Sequence, residues 1–153
     1  MVDVPCSGLG ALRRRPEARW RKSPRDIAEL LPLQRQLLDA AIEATRPGGV
    51  IAYVTCSPHA AETQNIVAEV LESGAVSLLD SAAVLREVAL HTEGANGEPV
   101  SVLAGEKDPG HTPEIKVKKG APVVKASENP TTAQLWPHVH GTDAMFLALL
   151  RKN

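Results

Sequence analysis

The chain has 153 residues, of which 43% are hydrophobic and 23% charged, and its formal net charge is −1 at pH 7. These values fit one ordinary globular domain, and two cysteines exclude a disulfide scaffold. No apolar run is long enough to span a membrane and none resembles a signal region, so we expect a cytoplasmic protein.

The first third of the chain predicts a strand, a turn and helices. A short strand begins at Val2–Pro5, and CSGLG (6–10) forms a tight turn. Residues 11–22 are too basic for a core element, whereas Pro24 after a serine signals a helix start. Pro32 predicts a break between a short helix and a longer one. The inner face of the longer helix is apolar at helical spacing: Leu33, Leu37, Leu38, Ala41 and Ile42.

A second strand and helix follow. RPGG (46–49) ends the long helix, and VIAYVT (50–55) is a continuous apolar run, typical of a strand buried on both faces. The next helix is predicted to extend to residues 73–74. Its inner face is apolar: Ile66, Val67, Val70 and Leu71. The order strand–helix–strand–helix favours a parallel sheet.

The remainder of the chain is less regular. Residues 75–79 and 99–103 are strand candidates, and residues 104–132 predict a long flexible loop rich in Gly, Pro and Lys. DAMFLALLRK (143–152) predicts a final strand that is antiparallel and lies at or near the sheet edge.

Each cysteine follows a strand-like run and precedes turn residues. Cys6 comes just after the first predicted strand and Cys56 just after the second. Ligands of parallel sheets bind beyond the carboxyl ends of the strands, so neighbouring strands would bring both thiols to one crevice. Cys56 also precedes a predicted helix, whose N-terminus favours a thiolate. Two other interpretations stay open, namely that both cysteines are core residues or that they form a redox disulfide.

Three stretches carry a resemblance to a known family: DVPCSGLGALRRRPEARWR, TCSPHAAETQN and HGTDAMFLALLRK. They resemble the C-terminal half of the catalytic domain of the RsmB/Sun (Fmu) family. This family belongs to the NOL1/NOP2/Sun group of S-adenosylmethionine-dependent RNA cytosine-C5 methyltransferases. Within this group the chain most resembles the bacterial 16S rRNA enzyme, which makes 5-methylcytosine during rRNA processing. The resemblance implies an α/β fold, half of a Rossmann-like sheet of parallel strands with an antiparallel last strand.

The resemblance is strong over residues 1–73, clear over 134–152 and weak over 75–133. The family usually has Ala where this chain has Val4, and Gly-Phe where it has Ala144 and Met145. These departures are mild and leave both cysteine motifs intact.

The family pattern assigns roles to the residues of the two cysteine motifs. Cys56 in the Thr-Cys-Ser motif is the nucleophile that adds to cytosine C6. Cys6 in the Pro-Cys motif assists product release. Asp3 contacts the cofactor or the target base, although a strand-end cap is its simpler interpretation. Other motif residues shape the two loops: Pro5, Ser7, Gly8, Thr55 and Ser57.

Residues 13–22, RRRPEARWRK, form a basic segment with six basic residues and one acid. A charge run is often only a solvated face, but this one directly follows the Cys6 motif. Its arginines could therefore bind RNA phosphates: Arg13, Arg14, Arg15, Arg19 and Arg21. Trp20 could stack on a base, although packing under the loop is the favoured interpretation. His138 and His140 lack further ligands at metal spacing, so they are expected to hold the loop before the last strand.

Two features of the family are missing from the sequence. No glycine-rich cofactor loop of the APGGKT type precedes Asp3, and no N-terminal RNA-binding domain is present. We therefore expect residues 1–153 to be a C-terminal fragment that holds the nucleophile but only the rim of the S-adenosylmethionine site, and that is inactive alone. The alternative is a non-catalytic RNA-binding or interaction module. The expected partner is RNA, in particular 16S rRNA, and the exposed edge of the first strand predicts a homodimer.

Overall fold

The computed structural model describes residues 1–89 and 131–153. Strands and helices alternate in an α/β fold. The strands are β1 (Val2–Asp3), β2 (Val50–Thr55), β3 (Val76–Leu79), β4 (Ala133–Gln134) and β5 (Phe146–Lys152). The helices are α1 (Pro24–Ala44), α2 (Gln64–Glu72), α3 (Ser81–Ala89) and the single turn α4 (Pro137–His140). The strand predicted at 99–103 and nearly all of the loop predicted at 104–132 lie outside the described residues.

The strands form one sheet in the order β1-β2-β5-β3, and β4 also pairs with β5. β1 runs parallel to β2, with Val2 opposite Tyr53. β5 runs antiparallel to β2, β3 and β4, which confirms the predicted antiparallel last strand. It lies one strand inside the edge formed by β3. Within the described residues β1 is an edge strand, and the homodimer through this edge stays a prediction.

The core lies where α1 and α2 meet the sheet. Leu38 and Ile42 of α1 pack with Ile66, Val67 and Val70 of α2 against the buried side chains of β2 and β5. The largest of these, Tyr53 and Phe146, meet edge to face with ring centroids 6.3 Å apart. Such pairs add roughly 0.5–1.5 kcal/mol to the stabilisation from burial alone.

Helix α1 differs from its prediction in two respects. It is continuous from Pro24 to Ala44 and contains Pro32, which was predicted to break it. Both Pro32 and Ala28, whose carbonyl loses its usual N–H donor, are exposed, so solvent can satisfy that carbonyl. The buried stripe is also rotated, because Leu33 and Leu37 are 43% and 38% exposed whereas Gln34 is fully buried.

Other elements correct or extend the sequence prediction. β2 is not buried on both faces, since Ala52 and Val54 are only half-buried. Helix α3, the short strand β4 and the turn α4 were not predicted. Residues 9–20 contain only two 3₁₀ turns, Leu9–Ala11 and Pro16–Trp20, in agreement with the expectation that this stretch is not a core element. Among the described helices, none has the length and apolar character needed to cross a membrane.

Candidate active site

The two cysteines meet at the carboxyl ends of two neighbouring parallel strands. β1 ends at Asp3 and β2 ends at Thr55, side by side in the sheet. Each strand leads into a loop with a cysteine, the Cys6 loop (residues 4–10) and the Cys56 loop (residues 56–61). The two sulfur atoms lie 3.3 Å apart, and both thiols are free and half-buried. Both thiols therefore belong to one crevice at this edge of the sheet.

Gly10 joins the Cys6 loop to the Cys56 loop and to the segment before β5. Its N–H donates to the Cys56 carbonyl at 2.9 Å, and its carbonyl accepts from the Ala144 N–H at 2.9 Å. A Cβ atom at Gly10 would lie 2.0 Å from the Ala144 oxygen and 2.6 Å from the Cys56 oxygen. Only glycine allows these backbones to approach so closely.

A buried carboxylate connects the two loops. Glu62 ends the 3₁₀ turn Ala60–Glu62, and its side chain is fully buried. Its Oε1 accepts from Ser7 N at 2.8 Å and from Gln34 Nε2 at 3.0 Å. Its Oε2 accepts from Ser7 Oγ at 2.5 Å and from Ser57 Oγ at 2.6 Å. Burial raises the pKa of Glu62, but the hydrogen bonds from Ser57, Ser7 and Gln34 outweigh it and hold the pKa below its usual value. The carboxylate is therefore ionised at neutral pH.

The other predicted loop-shaping residues occupy different settings. The Pro5 carbonyl accepts from Gln34 Nε2 at 2.9 Å, which ties the Cys6 loop to α1. Gly8 has φ 71°, a backbone conformation that favours glycine. Thr55 is fully buried, and its hydroxyl has no hydrogen-bond partner among the described residues.

The structure corrects the expectation that a helix N-terminus lowers the pKa of Cys56. The Cys56 loop leads into a short 3₁₀ turn, and the α-helix begins only at Gln64. Burial, the hydrogen bond with Cys6 and the charge of a Cys6 thiolate raise the pKa of Cys56 to about 11. At neutral pH the resting state of Cys56 is therefore a protonated thiol.

We expect alkylation of Cys56 by iodoacetamide to be slow at pH 7 and to accelerate about tenfold per pH unit until the pH approaches 11, because only the thiolate reacts. Mass spectrometry of the peptide that contains Cys56 measures the rate. In the Cys6→Ala variant, the pH at which the alkylation rate is half-maximal should fall. It should stay above the ordinary thiol pKa of about 8.5, because burial raises the pKa of Cys56 more than Cys6 does. If the unsubstituted chain shows half-maximal alkylation at or below about pH 8.5, the raised pKa is wrong and the activated thiolate expected from the sequence is right.

Asp3 and Arg14 bring charge to the crevice. Asp3 is exposed at the end of β1, and its side chain makes no hydrogen bond or ion pair within the described residues. Its carboxylate adds to the raised pKa of Cys56. The pKa of Arg14 is raised mainly by Asp143, and a thiolate at Cys56 adds to that effect. Both side chains are therefore close enough to influence the sulfur electrostatically.

The basic segment divides into anchored and free arginines. The Arg13 Nε lies 3.4 Å from Asp143 Oδ1, and Arg14 donates to Asp143 Oδ2 through both Nε and Nη2. The hydrogen bonds and charge of Arg14, with those of Arg13, hold the pKa of the largely buried Asp143 below its usual value. Three further arginines are exposed and have no acidic partner among the described residues: Arg15, Arg19 and Arg21.

An apolar cavity of about 480 Å³ places the basic segment beside the cysteine loops. Leu9 of the Cys6 loop and Ala61 of the Cys56 loop line it, together with Ile27 of α1. Arg19 and Lys22 of the basic segment line it as well. Cationic side chains therefore lie next to the loops that carry the thiols.

The structure corrects the prediction that Trp20 packs under the loop. Trp20 is 84% exposed, and the Arg19 guanidinium lies 5.5 Å from its ring centroid. The His140 ring accepts a hydrogen bond from Trp136 N at 2.8 Å, while the His138 ring lies 6.1 Å from that of Trp136. The described residues contain no cluster of side chains that could hold a metal ion.

Sequence reasoning missed three polar residues of the site: Gln34, Glu62 and Asp143. A signal existed for Gln34, which lies at helical spacing from Leu31, Leu38 and Ile42. Glu62 stands in the TCSPHAAETQN stretch, but nothing in the spacing shows that it reaches back to Ser7. Asp143 is 130 residues from Arg13 and 129 from Arg14 in the sequence, and no local pattern predicts these contacts.

Comparison with known proteins gives consistent results. The 16S rRNA methyltransferase RsmB/F family matches residues 1–151. “Putative methyltransferase Rv1407” of Mycobacterium tuberculosis is 47% identical over 152 residues, which cover 99% of this chain and 26% of that protein. “Ribosomal RNA small subunit methyltransferase B” of Erwinia tasmaniensis is 49% identical over 57 residues, 37% of this chain and 13% of that protein.

Solved structures share the fold. The crystal structure of PH0851 superposes with a TM-score of 0.64 at 26% identity, over 98% of this chain and 25% of that one. The crystal structure of NSun6 from Pyrococcus horikoshii with SFG gives a TM-score of 0.57 at 24% identity, over 98% of this chain and 28% of that one. The chain thus spans about a quarter of the length of the relatives that it matches end to end. The match over residues 1–151 shows that the chain belongs to the 16S rRNA methyltransferase RsmB/F family.

Proposed function

We propose that this chain carries the catalytic cysteines of an S-adenosylmethionine-dependent rRNA methyltransferase that modifies C5 of cytosine in 16S rRNA. The observation that carries the proposal is the pair of thiols 3.3 Å apart beyond the carboxyl ends of two parallel strands. Membership of the RsmB/F family supports rRNA as the substrate class. A cytoplasmic location follows from this substrate and belongs to the proposal.

The chemistry needs a thiolate because cytosine C5 is a weak nucleophile. Because Cys56 rests as a thiol, its proton must leave as the sulfur adds to C6, and transfer of that proton to N3 of the ring leaves C5 enamine-like and able to accept a methyl group. Loss of the C5 proton and cleavage of the C6–sulfur bond, with return of the N3 proton to sulfur, then restore the thiol. The 3.3 Å between the sulfur atoms of Cys6 and Cys56 supports a role for Cys6 in this release. The target base must leave its stack to reach the crevice.

S-adenosylmethionine, when bound, would supply the electrophilic methyl group. The described residues fit the rim of such a site, because the free carboxylate of Asp3 stands at the strand end beside Cys56. Asp3 could accept a hydrogen bond from the cofactor or from the base.

The proposal is tested with labelled S-adenosylmethionine, 16S rRNA and the longest natural form of the protein that contains this chain. Mass spectrometry of the digested RNA should find the label in 5-methylcytidine. The label in another nucleoside would overturn the assignment to cytosine C5. The 153-residue chain assayed alone should bind RNA without methyl transfer. This arm tests both the expected inactivity of the chain alone and the alternative of a binding module.

The free arginines should provide much of the RNA affinity. Replacement of Arg15, Arg19 and Arg21 by Gln should weaken binding to single-stranded RNA and reduce the slope of log K against log salt by about 2, because each phosphate contact contributes about 0.7. Fluorescence anisotropy at several salt concentrations measures the slope. Replacement of Arg46, Arg86 and Arg151 by Gln is the control with the same change in net charge. Equal slopes for both triple variants would show that the basic segment is only a solvated face.

A further inference from the structure

Glu62 is a buried ionised group that the cysteine chemistry does not use. Its carboxylate is fully buried, and it has no cationic partner within the described residues. All four of its hydrogen bonds come from neutral donors. Burial of an unpaired carboxylate is unfavourable for stability, and its hydrogen bonds offset that cost only while their geometry is maintained.

The donors to Glu62 come from both cysteine loops. Ser7 immediately follows Cys6 and donates through its backbone N–H and its hydroxyl. Ser57 immediately follows Cys56 and donates through its hydroxyl to the same carboxylate oxygen. One carboxylate therefore holds the residue next to each thiol.

Gln34 of α1 adds a third element to this arrangement. Its Nε2 donates to Glu62 Oε1 at 3.0 Å and to the Pro5 carbonyl at 2.9 Å. Both partners are acceptors, which fixes the amide orientation and leaves the buried Gln34 Oε1 without a partner among the described residues. Helix α1 is thus joined to the carboxylate even though one of its own acceptors goes unsatisfied.

We propose that Glu62 is a positioning residue that sets the distance between the Cys6 and Cys56 thiols. Its catalytic meaning rests on the function proposed above, since both thiols must act on the same base in turn. Ionised Glu62 accepts from Ser7 and Ser57 together, so neither loop can move without loss of a hydrogen bond to a buried charge. The thiol pair is therefore held before substrate arrives.

Replacement of Glu62 by Gln is the sharpest change. The glutamine carbonyl can still accept from Ser7 N and Gln34 Nε2, so one half of the arrangement survives. Its NH₂ group replaces the oxygen that accepts from the hydroxyls of Ser7 and Ser57, so those hydroxyls lose the charged acceptor that they share and can only accept from the neutral amide. The link between the two loops is then weakened with little change in side-chain volume.

Disulfide equilibrium with glutathione measures the thiol spacing without any assay of methyl transfer. Glutathione disulfide oxidises the two protein thiols to a Cys6–Cys56 disulfide, and two molecules of reduced glutathione are released. The equilibrium constant has units of concentration and reports how well the two thiols are held together. We expect Glu62→Gln to lower this constant by about tenfold, whereas Glu72→Gln, the same change at an exposed position of α2, should leave it unchanged.

Circular dichroism must show that each variant is folded under the conditions of the measurement. If Glu62→Gln does not fold, Ser57→Ala removes a single donor and should lower the constant in the same direction. An unchanged constant in a folded Glu62→Gln or Ser57→Ala variant overturns the positioning role. In the longest natural form, Glu62→Gln should lower kcat for methyl transfer with little change in KM for RNA. Absence of methyl transfer in the unsubstituted protein would overturn the proposed function alone, because the disulfide equilibrium does not depend on it.

Discussion

Replacement of Cys56 by Ala is expected to abolish methyl transfer by the longest natural form of the protein, with a loss of about 10⁴-fold or more, because it removes the sulfur that we propose adds to cytosine C6. Replacement of Cys6 by Ala should have a different effect. Addition and methyl transfer still occur, but release stalls, and a covalent protein–RNA adduct accumulates. Denaturing gel electrophoresis with labelled RNA detects the adduct.

The double variant Cys6→Ala/Cys56→Ala is the matched control and should form no adduct. The two single variants share the loss of one thiol from a pair 3.3 Å apart, so a general effect on packing would appear in both. An adduct in Cys56→Ala and none in Cys6→Ala would show that the two cysteines have the reverse roles.

Replacement of Gly10 by Ala is expected to have the largest effect on stability of any single methyl addition near the site. The new Cβ would lie 2.0 Å and 2.6 Å from two backbone oxygens, so the Cys6 loop must separate from Cys56 or from Ala144. We expect a loss of about 3 kcal/mol in the free energy of unfolding, typical of overpacking against atoms that cannot move independently. The equilibrium constant for formation of the Cys6–Cys56 disulfide with glutathione should also fall. Chemical denaturation and the glutathione measurement report the two effects.

Gly74→Ala is the control for general destabilisation. Gly74 lies between α2 and β3 with φ 70° and open space around its Cα, so the new methyl group costs only about 1–2 kcal/mol of backbone strain. The disulfide equilibrium constant of the Gly74→Ala variant should match that of the unsubstituted chain. A Gly10→Ala variant with unchanged stability and unchanged thiol equilibrium would contradict the close approach of the three segments.

Local patterns predicted the fold well because they reflect burial in one element at a time. The apolar run of β2 and the helical spacing in α2 predicted those two elements. Each cysteine was predicted to follow a strand, and each does. The same reasoning failed at Pro32, because an exposed helix surface tolerates a proline that a buried one does not. It also missed the burial of Gln34, since a polar side chain on an apolar stripe is stable only if distant partners satisfy it.

The connections between loops could not be predicted from local patterns. Ser7 and Glu62 are 55 residues apart, and Arg14 and Asp143 are 129 apart. Such contacts depend on how the strands assemble, and no residue in either segment indicates the other. The raised pKa of Cys56 belongs to the same class, because it arises from burial and from Cys6 rather than from the helix that follows.

The most direct test of the central claim is the identity of the sulfur that adds to the base. RNA with 5-fluorocytosine at the methylated position carries fluorine where a proton must leave, so the covalent adduct cannot be released once S-adenosylmethionine has donated its methyl group. The longest natural form should become covalently bound to this RNA, and mass spectrometry of the digested complex should find the nucleotide on Cys56. A nucleotide on Cys6, or methylation of ordinary 16S rRNA with no covalent product from the fluorinated RNA, would contradict the account.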